Sequence, residues 1–177
     1  MIFIDFEASS LSADSWPIEL GICWIDEQNK LRVEAKLIQP HASWQLSEWS
    51  EFSQKIHGIT LDEIEAAEDA MSIARWAQNR LAGKLLLSDA PKFDSRWLNK
   101  LLATDPASDF LEVNSVQKHA EARFTGTARA MFFRAYANGH GAHRAAADAL
   151  RLGQAWRAAL RKEQKTLAET PWPLVRP

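Results

Sequence analysis

Two acidic residues interrupt an apolar segment at the beginning of the chain. Residues 1–7 otherwise carry the β-branched and aromatic side chains typical of a buried strand, and Asp5 and Glu7 stand within it. Because strand side chains point alternately to opposite faces, both carboxylates are expected on one side, roughly 7 Å apart. Two unpaired buried carboxylates are costly, so the pattern favours a divalent cation, which prefers oxygen ligands. The alternative is a strand end in solvent with two hydrated acids.

Similar groups recur at two later positions. Asp94 follows residues 84–88, a short apolar segment that predicts a buried strand, and falls near the start of a predicted helix. His143 and Asp148 are five residues apart at the start of a long helical pattern. Five helical residues turn through about 500°, which would leave these two side chains about 140° apart. We therefore expect His143 in the loop or first turn that leads into the helix, with Asp148 projecting toward the sheet.

Other residues compete for the same roles. Asp89 is a second acid after the same predicted strand, and Asp94 on its own could simply cap a helix. His140, between two glycines, is a rival to His143, although the spacing to the helix acid favours His143. Glu19, in the second predicted strand, is either a group that supports the site or an ordinary acid on a strand face.

The elements that must position these residues follow a simple order. Three strands in succession predict an antiparallel meander, after which helices and strands alternate. The predicted strands cover residues 2–7, 18–25, 31–37, 84–88 and 110–113. The main predicted helices cover residues 71–81, 93–102, 116–122, 128–137 and about 143–167. This order predicts an α/β domain with a mixed sheet flanked by helices.

Length and composition narrow the class of protein. The chain has 177 residues, a net charge of −2 and no linker or repeat, which predicts a single domain over 1–177 with a proline-containing tail from about 169. The modest charge argues against binding nucleic acid by general electrostatic attraction. Cys23 is the lone cysteine, so an intrachain disulfide and a thiolate-rich zinc site are excluded. No signal peptide or membrane-spanning segment is evident, which predicts a cytoplasmic protein that does not bind membranes.

The acids and the histidine, in this order and context, resemble a known family. Asp5-x-Glu7, Phe93-Asp94 and His143-x4-Asp148 are similar to the three motifs of the DnaQ-like (DEDDh) 3′-to-5′ exonucleases of the ribonuclease H-like superfamily. Residues 17–21, 56–60 and 147–149 also resemble segments of that family, and the likeness covers about residues 1–160. The chain departs from the family at three positions, namely Ser10 for a usual Gly, Ser88 for a common His and Asp89 for a frequent Asn.

The resemblance implies a fold and a chemistry. The fold would be ribonuclease H-like, with a five-stranded mixed sheet in which parallel strands adjoin the three-strand meander. The activity would be metal-dependent 3′-to-5′ exonucleolytic hydrolysis that releases nucleoside 5′-monophosphates, with His143 as general base. Two Mg²⁺ or Mn²⁺ ions would be held by four carboxylates. These are Asp5, Glu7, Asp94 and Asp148.

The partner implied by the resemblance is the 3′ end of single-stranded RNA or DNA. The backbone at Ala8 and Ser9 would meet the terminal nucleotide, and Leu11 and His57 would flank its base. Trp44 and Trp49 are further candidates for contacting a base, although packing in the core is the more economical interpretation. Several relatives are dimers, so a homodimer is one expected state. Two alternatives stay open, a non-catalytic nucleic-acid-binding or partner-docking module of the same fold, and a phosphodiesterase that acts on small molecules.

Overall fold

The structure is a computed structural model that describes residues 1–139 and 143–169, with side chains described as far as residue 166. The rival base His140 and the tail beyond residue 169 lie outside the described residues. Among the described residues, no helix combines the length and the apolar character needed to cross a membrane.

Six strands within the described residues form one mixed sheet, in the order β4-β3-β2-β1-β5-β6. The strands are β1 (Ile2–Ala8), β2 (Pro17–Ile25), β3 (Leu31–Gln39), β4 (Glu68–Asp69), β5 (Leu86–Ser88) and β6 (Val113–Ser115). The first three form the antiparallel meander, and β5 runs parallel to both β1 and β6. The predicted α/β class, with a mixed sheet in which parallel strands adjoin the meander, is therefore confirmed.

Two details of the sheet differ from the sequence-based expectation. β4 is an additional strand of two exposed residues that pairs with the end of β3, and it is too short to produce an alternating pattern. The last predicted strand, residues 110–113, is wrong in its limits because β6 begins at Val113. The N–H and C=O of Leu111 bond to the Asn99 side chain rather than to a neighbouring strand. Phe110 is 74% exposed, so its apolar character does not mark a sheet position.

Helices cover both faces of the sheet. The helices are α1 (Glu51–His57), α2 (Leu61–Glu65), α3 (Ala70–Leu81), α4 (Pro91–Leu102), α5 (Val116–Arg123), α6 (Gly126–Asn138) and α7 (Ala145–Glu169). One core cluster joins the sheet to α3 and α4, and the other joins it to α5, α6 and α7. In β1, Ile4 and Phe6 belong to the first cluster while Phe3 belongs to the second. Side-chain alternation therefore directs Asp5 and Glu7 to the α7 face.

The helix α7 lies unusually close to the meander. A Cβ atom on Gly21 of β2 would stand 2.1 Å from the carbonyl group of Ala145, the first residue of α7. Farther along α7, a Cβ on Gly153 would stand 2.7 Å from the Sγ of Cys23. Since neither position has room for a side chain, glycine in β2 and in α7 allows the helix backbone to approach the sheet. This approach brings the first turn of α7 over the acidic part of β1.

The connection between β3 and α3 forms a wall beside the end of β1. Ser50 caps α1, and Gly58 ends this helix in the left-handed conformation at φ 70°. Thr60 and Glu63 form a capping box at the start of α2. These caps set the limits of α1 and the start of α2. Side chains of α1 face the end of β1 where the acids lie.

Candidate active site

Acidic side chains from three elements converge beside β1. Oxygens of Asp5, Glu7 and Asp148 lie within 4.8 Å of one another, and so do oxygens of Asp5, Asp89 and Asp94. Asp148 comes from the first turn of α7, and Asp94 from the first turn of α4. The structure therefore brings together the four acids named from the sequence and adds Asp89. Asp5 belongs to both groups and stands at the centre of the cluster.

Burial and mutual repulsion work against ionisation of this cluster. Burial raises the pKa of Asp5 well above its ordinary value, and the neighbouring charges of Asp94 and Glu7 raise it further. Burial and the charge of Asp148 raise the pKa of Glu7 to about 8. Burial raises the pKa of Asp94 to about 7, although a hydrogen bond from Ser88 Oγ acts in the opposite direction. Additional positive charge would relieve this repulsion.

The donor atoms fit a hard divalent cation. They are carboxylate oxygens drawn from well-packed elements, which is the ligand type that Mg²⁺ and Mn²⁺ prefer. One of them, Oδ1 of Asp148, is buried and accepts no hydrogen bond within the described residues. A buried carboxylate oxygen without a hydrogen bond is expensive, and Nε of Arg151, 3.5 Å away, gives it only a long ion pair, so a bound cation would improve its pairing.

An arginine that the sequence analysis missed contacts the same cluster. Arg151 lies one turn after Asp148 and donates a hydrogen bond to Asp89 at 2.6 Å. Its Nε is 3.5 Å from Oδ1 of Asp148, and its guanidinium lies 5.2 Å from the centre of the Tyr136 ring. Gly139 packs against its side chain, where a Cβ would stand 2.6 Å from the Arg151 methylenes. Arg151 thus pairs directly with Asp89 and, at a longer distance, with Asp148.

His143 precedes α7, in the loop position that its spacing indicated. It is exposed and has a positive φ of 51°, which is uncommon for a residue with a side chain. Its side chain borders two cavities, one acidic and one apolar. Its role as a base stays a prediction.

The two cavities adjoin each other. The acidic cavity has a volume of about 500 Å³ and is lined by Asp5, Phe6, Glu7, Asp89, Tyr136, Ala137, Gly139, His143, Asp148 and Arg151. The apolar cavity has a volume of about 410 Å³ and is lined by Phe6, Glu7, Ala8, Ser10, Leu11, Ser50, Phe52, Ser53, Ile56, His57, Trp97 and His143. Phe6, Glu7 and His143 line both. A ligand with an anionic and an apolar part could therefore occupy both cavities at once.

Not all of the residues predicted to contact substrate line a cavity. Ala8, Leu11 and His57 line the apolar cavity, whereas Ser9 is fully buried behind it. The N–H of Ser9 donates to the carbonyl of Trp16, and its carbonyl accepts from the N–H of Ser50. The Ser9 hydroxyl accepts from the N–H of Trp16. These groups of Ser9 already have protein partners.

Apolar side chains on α1 form a wall that the sequence analysis did not assign to the site. Phe52 and Ile56 are 72% and 43% exposed, and Leu11 opposite them is 70% exposed. Such exposure of large apolar groups within one cavity suits a flat, weakly polar ligand such as a base. The signal was available, since Phe52 and Ile56 are four residues apart on a helix, but it resembles ordinary core spacing.

The histidine and tryptophan residues near this wall mostly contact other groups of the protein. Nδ1 of His57 accepts the N–H of Ile59 at 3.0 Å, and burial lowers the pKa of His57. Trp16 stacks between Trp44 and Trp49, at centroid distances of 6.0 and 5.9 Å. The tryptophan stack supports the interpretation of Trp44 and Trp49 as packing residues.

Glu19 is buried and has specific bonding partners, unlike an ordinary acid on an exposed strand face. It lies opposite Glu7 in the β1–β2 register, is 3% exposed, and bonds to the side chain of Arg144 and the N–H of Ala145. Of the two possibilities left open by the sequence, the structure favours a supporting position beside the site.

Comparison with solved structures identifies the fold. E. coli exonuclease I bound to a dT13 oligonucleotide has a TM-score of 0.66 and 14% identity, over 94% of this chain and 42% of that one. Cell-death related nuclease 4 (CRN-4) has a TM-score of 0.61 and 15% identity, over 91% of this chain and 63% of that one. A 3′-exonuclease solved for 3′-end-specific recognition of the histone mRNA stem-loop has a TM-score of 0.60 and 15% identity, over 91% and 81%.

These neighbours are an exonuclease I, a cell-death related nuclease and a 3′-exonuclease, and their likeness shows that the chain has their fold, the predicted ribonuclease H-like one. The chain spans about two fifths of the length of the exonuclease I chains. No protein-family model matches the sequence, and no curated protein matches it.

Proposed function

We propose that this protein is a metal-dependent 3′-to-5′ exonuclease that acts on single-stranded RNA or DNA. The observation that carries the proposal is the convergence of Asp5, Glu7, Asp94 and Asp148 beside an apolar cavity large enough for a base. The fold it shares with 3′-exonucleases that are solved with single-stranded oligonucleotides or for RNA recognition supports the same assignment.

The four carboxylates are the proposed ligands of two divalent cations, Mg²⁺ or Mn²⁺. When bound, these ions would neutralise the cluster and supply Lewis-acid stabilisation to the attacking and leaving oxygens. Asp5 belongs to both groups of oxygens, so it could contribute to the binding of either ion. Asp89 is a weaker candidate because Arg151 already occupies one of its oxygens.

The remaining side chains would orient the strand and move the proton. The terminal base would lie against Leu11, Phe52 and Ile56, which places its phosphodiester toward Glu7 and His143 at the border of the two cavities. His143 would take a proton from water at the unprotonated nitrogen of its neutral ring. The water oxygen bonds to phosphorus and the bond to the 3′ oxygen of the preceding nucleotide breaks. A nucleoside 5′-monophosphate leaves, and the shortened strand keeps a 3′-hydroxyl.

The test is digestion of 5′-labelled single-stranded RNA and DNA of the same sequence, with Mg²⁺ or Mn²⁺ and with chelator. We expect a ladder of products shortened from the 3′ end, formed only with metal and blocked by a 3′-terminal phosphate. Whichever of the two polymers is cut faster identifies the preferred substrate. Binding without shortening would indicate the non-catalytic module, and cleavage of dinucleotides alone would indicate the small-molecule phosphodiesterase.

Variants separate the proposed roles. Asp5→Ala should abolish digestion, and His143→Ala should reduce it by at least about 100-fold while metal still binds. Asp109→Ala is the matched control, because Asp109 is exposed, lies between α4 and β6, and lines neither cavity. Equal activity of Asp5→Ala and the wild-type protein would contradict the assignment.

A further inference from the structure

An ion pair between the buried Glu19 of β2 and the partly exposed Arg144 joins the sheet to the start of α7, beside the acidic cavity. Oε1 of Glu19 accepts from Nη2 of Arg144 at 2.8 Å, and Oε2 accepts from Nε of Arg144 at 3.1 Å. Oε2 also accepts the backbone N–H of Ala145 at 2.9 Å. We call these contacts the Glu19–Arg144 clasp. Both oxygens of Glu19 are used, so the clasp fully satisfies a carboxylate that is otherwise removed from water.

The clasp fixes the backbone at the point where α7 begins. Gly21, two residues along β2, allows the carbonyl of Ala145 to lie against the strand with no room for a Cβ. Ala145 is therefore held on one side by a hydrogen bond to Glu19 and on the other by direct contact with Gly21. The guanidinium of Arg144 is pinned as well, although 46% of its side chain is exposed.

His143 is the residue that immediately precedes this fixed point. It is exposed, its backbone is in the sparsely populated left-handed region, and its side chain borders both cavities. A non-glycine residue keeps such a conformation only where its surroundings impose it. The next two residues are held by the clasp, which supplies that constraint from one side.

We infer that Glu19 and Arg144 are positioning residues that hold the backbone of His143 so that its imidazole faces the scissile phosphodiester. This inference rests on the proposed function, since it assigns a role in the same reaction. Neither residue touches the substrate. Asp148 lies further along α7, which also packs on the sheet through Gly153, so this helix keeps a second contact with the sheet when the clasp is removed.

The first test compares Glu19→Gln and Arg144→Gln with Arg123→Gln. Arg123 forms a bidentate ion pair with Glu163 at 2.8 and 2.9 Å, remote from the cavities, and is the matched control for loss of an Arg–Glu pair. We expect both clasp variants to lower kcat by about 10-fold or more while KM and Mn²⁺ affinity, measured by calorimetry, stay within about threefold. The His143 ring signal in NMR, assigned by its loss in His143→Ala, should shift in the clasp variants and not in Arg123→Gln.

A double-mutant cycle separates positioning from general support of the fold. If Glu19 acts through His143, adding Glu19→Gln to His143→Ala should lower kcat by less than about twofold further. Unchanged kcat in Glu19→Gln, or a full additional loss in the His143→Ala background, would overturn the inference. A wild-type protein that cuts neither polymer would instead refute the proposed function, and the ring signal would still report whether the clasp holds His143.

Discussion

Asp5 is the residue on which the carboxylate cluster depends most. Burial and four acidic neighbours raise its pKa, so an uncharged isostere should relieve repulsion in the metal-free protein. We predict that Asp5→Asn raises the metal-free Tm by about 3–5 °C and removes most of the further rise that Mn²⁺ gives the wild-type protein. Thermal unfolding with and without Mn²⁺ measures both effects. An Mn²⁺-induced rise equal to that of the wild type would contradict the assignment of Asp5 as a ligand.

Arg151 competes for the same oxygens that a cation would use. Its guanidinium bonds to Asp89 and lies 3.5 Å from Oδ1 of Asp148. We therefore expect Arg151→Gln to raise Mn²⁺ affinity about 5- to 10-fold in calorimetric titrations, because a competing positive charge is removed. Arg161→Gln, an exposed position on the same helix, should leave the affinity unchanged. Weaker binding in Arg151→Gln would show instead that Arg151 organises the carboxylates.

At the scale of single residues, the sequence predicts the acidic residues of the site more readily than the arginines that pair with them. Asp5, Glu7, Asp94 and Asp148 could be named because each interrupts or follows an apolar pattern. Arg151 and Arg144 could not, because their contacts with Asp89 and Glu19 span 62 and 125 residues of sequence. An arginine on a helix surface looks the same in sequence whether it faces water or a distant carboxylate.

At the scale of elements, the site depends on how closely α7 approaches β2. A Cβ at Gly21 would stand 2.1 Å from the Ala145 carbonyl, so the helix start must move to admit alanine. We predict that Gly21→Ala costs about 2–4 kcal/mol of stability and weakens Mn²⁺ binding, since Asp148 moves with the helix. Denaturant unfolding and calorimetry measure the two effects.

Gly83→Ala is the control for this prediction. Gly83 has a positive φ of 70°, but no atom lies within 4 Å of the place that an alanine methyl group would take. Alanine there should therefore cost only about 1 kcal/mol and leave Mn²⁺ affinity unchanged. Equal Mn²⁺ affinities for Gly21→Ala and the wild-type protein would show that the helix contact does not position Asp148.

Element type was predictable where the periodic pattern was long. The alternation in β3 and the apolar stripe of α3 identified both elements, and the limits of α3 agree to within one residue. β4 and β6 have two and three residues, too few for a period to appear. Their positions are set by pairing with β3 and β5, which is tertiary information.

At the scale of the whole molecule, the cluster links stability to pH. The pKa of Glu7 is about 8 in the folded metal-free protein, above the ordinary value of 4.5, so the folded state binds more protons than the unfolded state between these values. The stability associated with Glu7 is therefore fully present below about pH 4.5 and is lost as pH rises through 8. We predict that Glu7→Gln becomes progressively more stable than the wild-type protein from pH 5 to 8.5 without metal.

Thermal unfolding of the two proteins across this pH range measures the difference between their Tm values. Contributions from other titratable groups cancel in this difference. The expected gain is about 5 °C at pH 8.5, and saturating Mn²⁺ should reduce it because the cation stabilises ionised Glu7 in the wild-type protein. A difference in Tm that does not change with pH would show that Glu7 is not in the repulsive environment described above.

The layered fold was the most predictable property of the molecule, because three strands followed by alternating helices and strands allow few arrangements. The position of an acidic cavity next to an apolar cavity was harder to predict from the sequence. It depends on α1 lying beside the end of β1 with Phe52 and Ile56 exposed, and the spacing of these two residues in the sequence is the same as that of ordinary core residues.

The most direct test of the central claim is the chemical identity of the product released in ¹⁸O-labelled water. Single-stranded RNA or DNA is incubated with the protein and Mn²⁺, and the released mononucleotides are analysed by mass spectrometry. The proposed reaction predicts nucleoside 5′-monophosphates that carry one ¹⁸O on phosphorus from the first turnover onward, and no release by Asp5→Ala. Release of nucleoside 3′-monophosphates, or no mononucleotide from either polymer, would contradict it.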